Sequence, residues 1–252
     1  MFRLLCVAAV CFAVYWFGYR GGCGHGDALA CPDPALEAGV GVSLSAAEIC
    51  PGAGYLCTEK GGSLQVARWP LDKGKLRVRV PLPDFVGGDL ARELRETAIE
   101  GIKVWDGHPF PIVIDTGKVP LKPWDIGVVW SVGLFNAAAG LTRVGYNIDG
   151  KRLVFMNDGL AVVVPPLAAG MIPGIGAVPG LPASMDNDAL METVRAVATH
   201  EMGHALGLLH SDREGDIMYP QLRQGPTQVR ASKRDFQTID MLYSLPNGAM
   251  LQ

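Results

Sequence analysis

Eleven residues near the C-terminal end, His200-Glu201-Met202-Gly203-His204-Ala205-Leu206-Gly207-Leu208-Leu209-His210, most constrain what the chain can fold into. On a helix, residues four apart share a face, so His200 and His204 present their imidazoles side by side. Neutral imidazole is a good zinc ligand, and a catalytic zinc takes three protein ligands with one position open for water. Glu201 follows the first histidine directly, within reach of that water as a general base. Gly207 permits the positive φ that ends the helix, so the chain turns and brings in His210 as third ligand. Three of the five histidines among 252 residues fall in this stretch. The expectation is one catalytic zinc ion on His200, His204 and His210, with Glu201 as general acid/base.

Charged residues make up 19% of the chain and the formal net charge is −3. That balance leaves no basic footprint for nucleic acid. The N-terminus reads Met1-Phe2-Arg3 and then runs apolar from Leu4 to Phe17, the pattern of a secretory signal. Tyr15, Trp16 and Tyr19 suit a membrane interface as well, so signal peptide and membrane anchor both stand. Either places the protein extracytoplasmically, secreted or attached through its N-terminus. All six cysteines precede residue 58. Cys6 and Cys11 lie in the leader. Cys23, Cys31, Cys50 and Cys57 can form two disulfides in an oxidising compartment, and Cys50 and Cys57 bracket a turn-rich loop that a bridge would close. No thiol is left for the metal.

Three regions are expected: a leader over 1–22, a Cys-containing flanking segment or pro-region over 23–72, and a catalytic domain over 73–252. Residues 24 to about 70 show no sustained period. Leu76 to Val80 alternates apolar and basic, as a half-buried strand does. Leu90, Leu94, Ala98, Ile99, Ile102 and Trp105 fall on one face of a helix. Further strands are expected over 110–115 and 126–135, the latter nearly all apolar and so buried on both faces. A hairpin over 145–156 turns at Asp149-Gly150, and a last short strand runs from Ala161 to Val164. Residues 165–184, rich in glycine and proline, form a long loop of the kind that rims functional sites. The helix after Asp186-Asn187-Asp188 carries the motif histidines in its final turns. A last helix starts near Ser232, whose spacing to Asp235 is that of a capping box.

The long histidine motif, followed by Asp216-Ile217-Met218-Tyr219-Pro220, resembles the metzincin zinc endopeptidases. Gly203, Ser211 and the Ile217–Pro220 run are similar to the matrixins within that clan, and the order of elements fits over about residues 75 to 245. The resemblance implies an α+β domain with a twisted mixed sheet and three main helices, the zinc helix leading into a Met-turn. It also implies a protein or peptide substrate. Met218 would form an apolar floor under the ligands, while Tyr219 and Pro220 would lead into the pocket wall for the residue after the scissile bond. Departures are visible too. No histidine lies between His108 and His200 to hold the structural zinc of animal matrixins, Leu222 stands where a tyrosine is usual, and the inhibitory cysteine motif is missing. Asn147, Asp149, Asn157 and Asp158 offer oxygens for a calcium ion, though such clusters also build plain turns. Two other classes stand as alternatives: a non-proteolytic zinc-bearing binding domain, and a zinc amidohydrolase acting on a non-peptide amide.

Overall fold

A computed structural model of the chain describes residues 33–58, 63–117, 125–132, 139–164, 187–221 and 230–252. The leader, Cys6, Cys11, Cys23, Cys31, the 165–184 loop and Leu222 lie outside the described residues. The elements run β1 (Ser43–Leu44), α1 (Ala46–Ile49), β2 (Leu64–Gln65), β3 (Leu76–Arg79), α2 (Gly88–Lys103), β4 (Ile112–Asp115), β5 (Ile126–Ser131), β6 (Gly140–Asp149), β7 (Arg152–Val163), α3 (Asn187–Ala205), α4 (Lys233–Ser244) and β8 (Met250–Leu251).

The main sheet has the order β4-β3-β5-β7-β6. Its pairs are parallel except β6 with β7, which makes β6 an antiparallel edge strand. This is the α+β class with a mixed sheet, and α2, α3 and α4 are its three main helices. The alternation expected at 76–80 is present: Leu76 and Val78 are buried while Arg77 faces out. The inner face carries Leu76, Val78, Ile126, Val128, Leu160 and Val162 into one core with Leu94, Ile102 and Trp105 of α2 and its C-terminal turn, and Val194, Val197 and Met202 of α3. β5 corrects its expectation. It is not buried on both faces, because Val129, on the outer face, is 56% exposed.

The hairpin is longer than its apolar pattern implied. β7 is one strand of 12 residues, and the expected short strand at 161–164 is its continuation. A register shift between Arg143 and Val144 inserts an extra residue into β7 near Asp158. Side-chain parity flips there, so the alternation reads as two segments.

The boundary expected at residue 73 does not coincide with the packing. Pro34–Gln252 is a single unit, and Tyr55, Val66, Arg68 and Trp69 from the flanking segment are buried in the common core. β8 joins β1 in parallel and β2 antiparallel, so the C-terminal strand is seated on the flank. The Arg68 guanidinium, fully buried, meets Glu37 at 3.1 Å and donates to the carbonyls of Leu36, Trp69 and Leu245. Low sequence regularity hid this segment because it contributes single buried side chains rather than long elements. Cys50 and Cys57 are disulfide-bonded, as their loop suggested.

Candidate metal centre

α3 delivers the motif. His200 and Glu201 are buried, His204 is half-buried and His210 is exposed. The helix ends in a Schellman pattern, with Leu208 N donating to Gly203 O and Gly207 N to His204 O. Gly207 has φ +102°, and a Cβ there would lie 2.6 Å from the carbonyl oxygen of Ala67. Glycine is required twice over, by the left-handed backbone and by the flanking segment pressed against it. The free carbonyl of Ala205 accepts a bond from Trp69 Nε1 at 2.8 Å, so the flank also caps the end of the helix.

The three imidazoles converge. His204 Nε2 lies 3.1 Å from His200 Nε2 and 3.2 Å from His210 Nε2. His200 Nδ1 faces the Ile217 carbonyl at 2.7 Å and His204 Nδ1 the Leu208 carbonyl at 2.8 Å. A carbonyl only accepts, so in each ring Nδ1 carries the proton and Nε2 turns a lone pair inward. Two lone pairs about 3 Å apart repel unless a cation lies between them. A tetrahedral zinc with nitrogens at about 2.0–2.1 Å would set them roughly 3.3 Å apart, so donor set and spacing both fit that ion. Burial lowers the pKa of His200, and lowers that of His204 to about 3. Both therefore stay neutral, as metal ligands must.

Glu201 is buried as well, and loss of solvent raises its carboxyl to about 7, against the lowering effect of a hydrogen bond from Thr142. Met218 is fully buried, and a Cβ on Gly203 would lie 2.3 Å from its sulfur. The turn that carries Met218 is pinned from three sides. Ser211 N donates to Met218 O at 2.8 Å. Asp235, the expected capping-box residue of α4, accepts from Ser232 N and from Ile217 N. The Tyr55 hydroxyl, from inside the disulfide loop, donates to the other oxygen of Asp235 at 2.9 Å. Arg234 joins Asp212 and Asp216 and donates to the Gly54 carbonyl. Tyr219 is half-buried and Pro220 exposed, continuing from the same turn.

Of the expected residues, the structure brings the ring nitrogens of His200, His204 and His210 together, while the Met218 sulfur packs against Gly203 and the Glu201 carboxyl meets Thr142. It does not gather the suggested calcium ligands. Asn147 pairs across from Val154 and Asn157 from Val144, which sets them on opposite faces of the hairpin; the Asp158 side chain is outside the described ones. Sequence reading missed Thr142, Tyr55 and Trp69. Tyr55 and Trp69 had one available signal, an aromatic carrying a polar handle beside a disulfide loop or a strand.

Residues 172–244 match the matrixin family model. The chain is 45% identical over 56 residues to Metalloendoproteinase 5-MMP of Arabidopsis thaliana, which covers 22% of this chain and 16% of that protein. It is 47% identical over 51 residues to Macrophage metalloelastase of Rattus norvegicus, 20% of this chain and 11% of that protein. Over 52 residues it is 46% identical to Stromelysin-1 of Equus caballus, with 20% and 11% covered. The similarity therefore spans less than a fifth of each of these relatives, and it falls on the segment that carries the metal centre. That segment is matrixin-like.

Proposed function

We propose that this matrixin-like chain is an exported zinc-dependent endopeptidase. The observation that carries the reading is three inward-facing imidazole nitrogens, 3.1–3.2 Å apart along the chain of neighbours, beside a buried carboxyl. His200, His204 and His210 would hold one zinc ion. Bound there, zinc supplies Lewis acidity, lowering the pKa of a water molecule toward neutrality and polarising a peptide carbonyl. Glu201 takes the proton of the attacking water as the new carbon–oxygen bond forms. It then passes that proton to the departing amine nitrogen as the carbon–nitrogen bond breaks.

Met218 serves as the apolar floor of the site, and Tyr219 and Pro220 lead into the pocket wall for the residue after the scissile bond. β6, at the edge of the sheet, offers a row of backbone groups to an extended peptide, the usual way a sheet edge receives one. The leader over 1–22, as signal peptide or anchor, directs the chain out of the cytoplasm, and the Cys50–Cys57 bridge suits an oxidising compartment. Residues 34–72 pack in the same compact unit as the histidine motif. A non-catalytic zinc domain would have no use for a buried carboxyl directly beside its ligands.

Hydrolysis of denatured casein tests the reading. Cleavage should stop with a chelator and return with added zinc, whereas cleavage indifferent to chelation, or none by the zinc-loaded chain, would overturn it.

A further inference from the structure

Glu201 is held from outside its own helix. The edge strand β6 approaches so closely that a Cβ on Gly140 would lie 2.3 Å from Glu201 Oε1 and 2.7 Å from Cδ. No other residue type leaves that space. Two residues along, on the same face of the strand, the Thr142 hydroxyl lies 2.6 Å from Glu201 Oε2 and 2.9 Å from the Glu201 backbone oxygen. A hydroxyl has one proton to give and lone pairs to receive. With the carboxylate ionised, Thr142 donates to Oε2. Once the carboxyl has taken a proton on its other oxygen, Oε2 still accepts from Thr142, so the acquired proton stays free to leave for the amine. Either way the side chain keeps one orientation.

We propose that Thr142, with Gly140 clearing the space, is a positioning residue that aims the Glu201 carboxyl through both halves of the proton transfer; this rests on Glu201 being the general base of a peptidase. Glu201 acts on the substrate, and Thr142 acts through Glu201. A hydroxyl lost here misaims the base without removing a metal ligand, and misplacement of about 1 Å at a reacting group costs up to roughly 100-fold in rate.

The test compares the zinc-loaded full chain with Thr142→Val, which keeps the shape and loses the hydroxyl, and Thr142→Ser, which keeps the hydroxyl. On a fluorogenic peptide, Thr142→Val should lower kcat by about 10- to 100-fold with KM within about two-fold. Its zinc content should match the wild type. Thr142→Ser should recover most of the activity, within about three-fold of the wild type. A valine variant with wild-type kcat, or a serine variant as impaired as the valine one, would overturn the proposal. So would an unchanged Glu201 rotamer in crystal structures of zinc-loaded wild type and Thr142→Val. That comparison needs no turnover, so a wild type that cleaves no peptide would defeat the peptidase reading while the rotamer still decides the role of Thr142.

Discussion

Replacing Gly203 with alanine should weaken zinc binding although it removes no ligand. The new Cβ would lie 2.3 Å from the Met218 sulfur and 3.2 Å from Cζ2 of Trp105, both side chains fully buried. An ordinary contact is roughly 3.4 Å or more, so the sulfur must retreat by about 1 Å into a core already filled. Such overpacking costs about 1–3 kcal/mol. Alanine returns about 1 kcal/mol through its better helix propensity, leaving a net loss of about 0–2 kcal/mol in the metal-free protein. The larger effect falls on the metal. Met218 O accepts from Ser211 N, beside His210, and the preceding carbonyl, of Ile217, orients His200 through Nδ1. Disturbing a partner that orients a ligand typically costs about 10- to 100-fold in metal affinity, so roughly tenfold weaker zinc binding is expected. Competition against a chromophoric chelator measures this, with urea unfolding of the metal-free protein alongside. Zinc affinity within about two-fold of wild type together with raised urea stability would refute the packing account.

Other outcomes follow from single contacts. Glu37→Ala leaves the fully buried Arg68 guanidinium without its counter-charge and should cost about 3–5 kcal/mol in chemical unfolding. Trp69→Phe removes the bond to the Ala205 carbonyl and should cost about 1–2 kcal/mol by the same assay. The pH dependence has a defined sign. His200 and His204 have folded pKa values below the unfolded value of 6.5, so the stability they confer is full above about pH 6.5 and is lost as pH falls toward 3. Metal-free His204→Ala should accordingly show a flatter loss of urea stability over that range. Glu201, raised to about 7 without metal, acts as a base only when ionised. A nearby dication favours its ionised form, so the acid limb of kcat/KM for the zinc-loaded chain should fall below pH 7.

The metal centre was legible because its parts are local. The three histidines, Glu201 and the helix-ending glycine share eleven consecutive residues, and helical periodicity alone brings His200 and His204 together. The capping box of α4 was legible for the same reason. What supports the site was not, since Thr142 lies 59 residues from Glu201, Tyr55 lies 180 from Asp235 and Glu37 lies 31 from Arg68. Those pairs exist only once the sheet has formed and the flank has folded back. Residues 34–72 looked detachable because their buried side chains follow no period. The extra residue in β7 reversed the alternation and made one strand look like two.

The most direct test of the account is Glu201→Gln, which keeps the size of the side chain while abolishing the base. Zinc content by elemental analysis and peptide hydrolysis should be measured on the same purified sample. One zinc per chain is expected, as in the wild type, with kcat down by at least about 100-fold. Hydrolysis at the wild-type rate with zinc in place would contradict it.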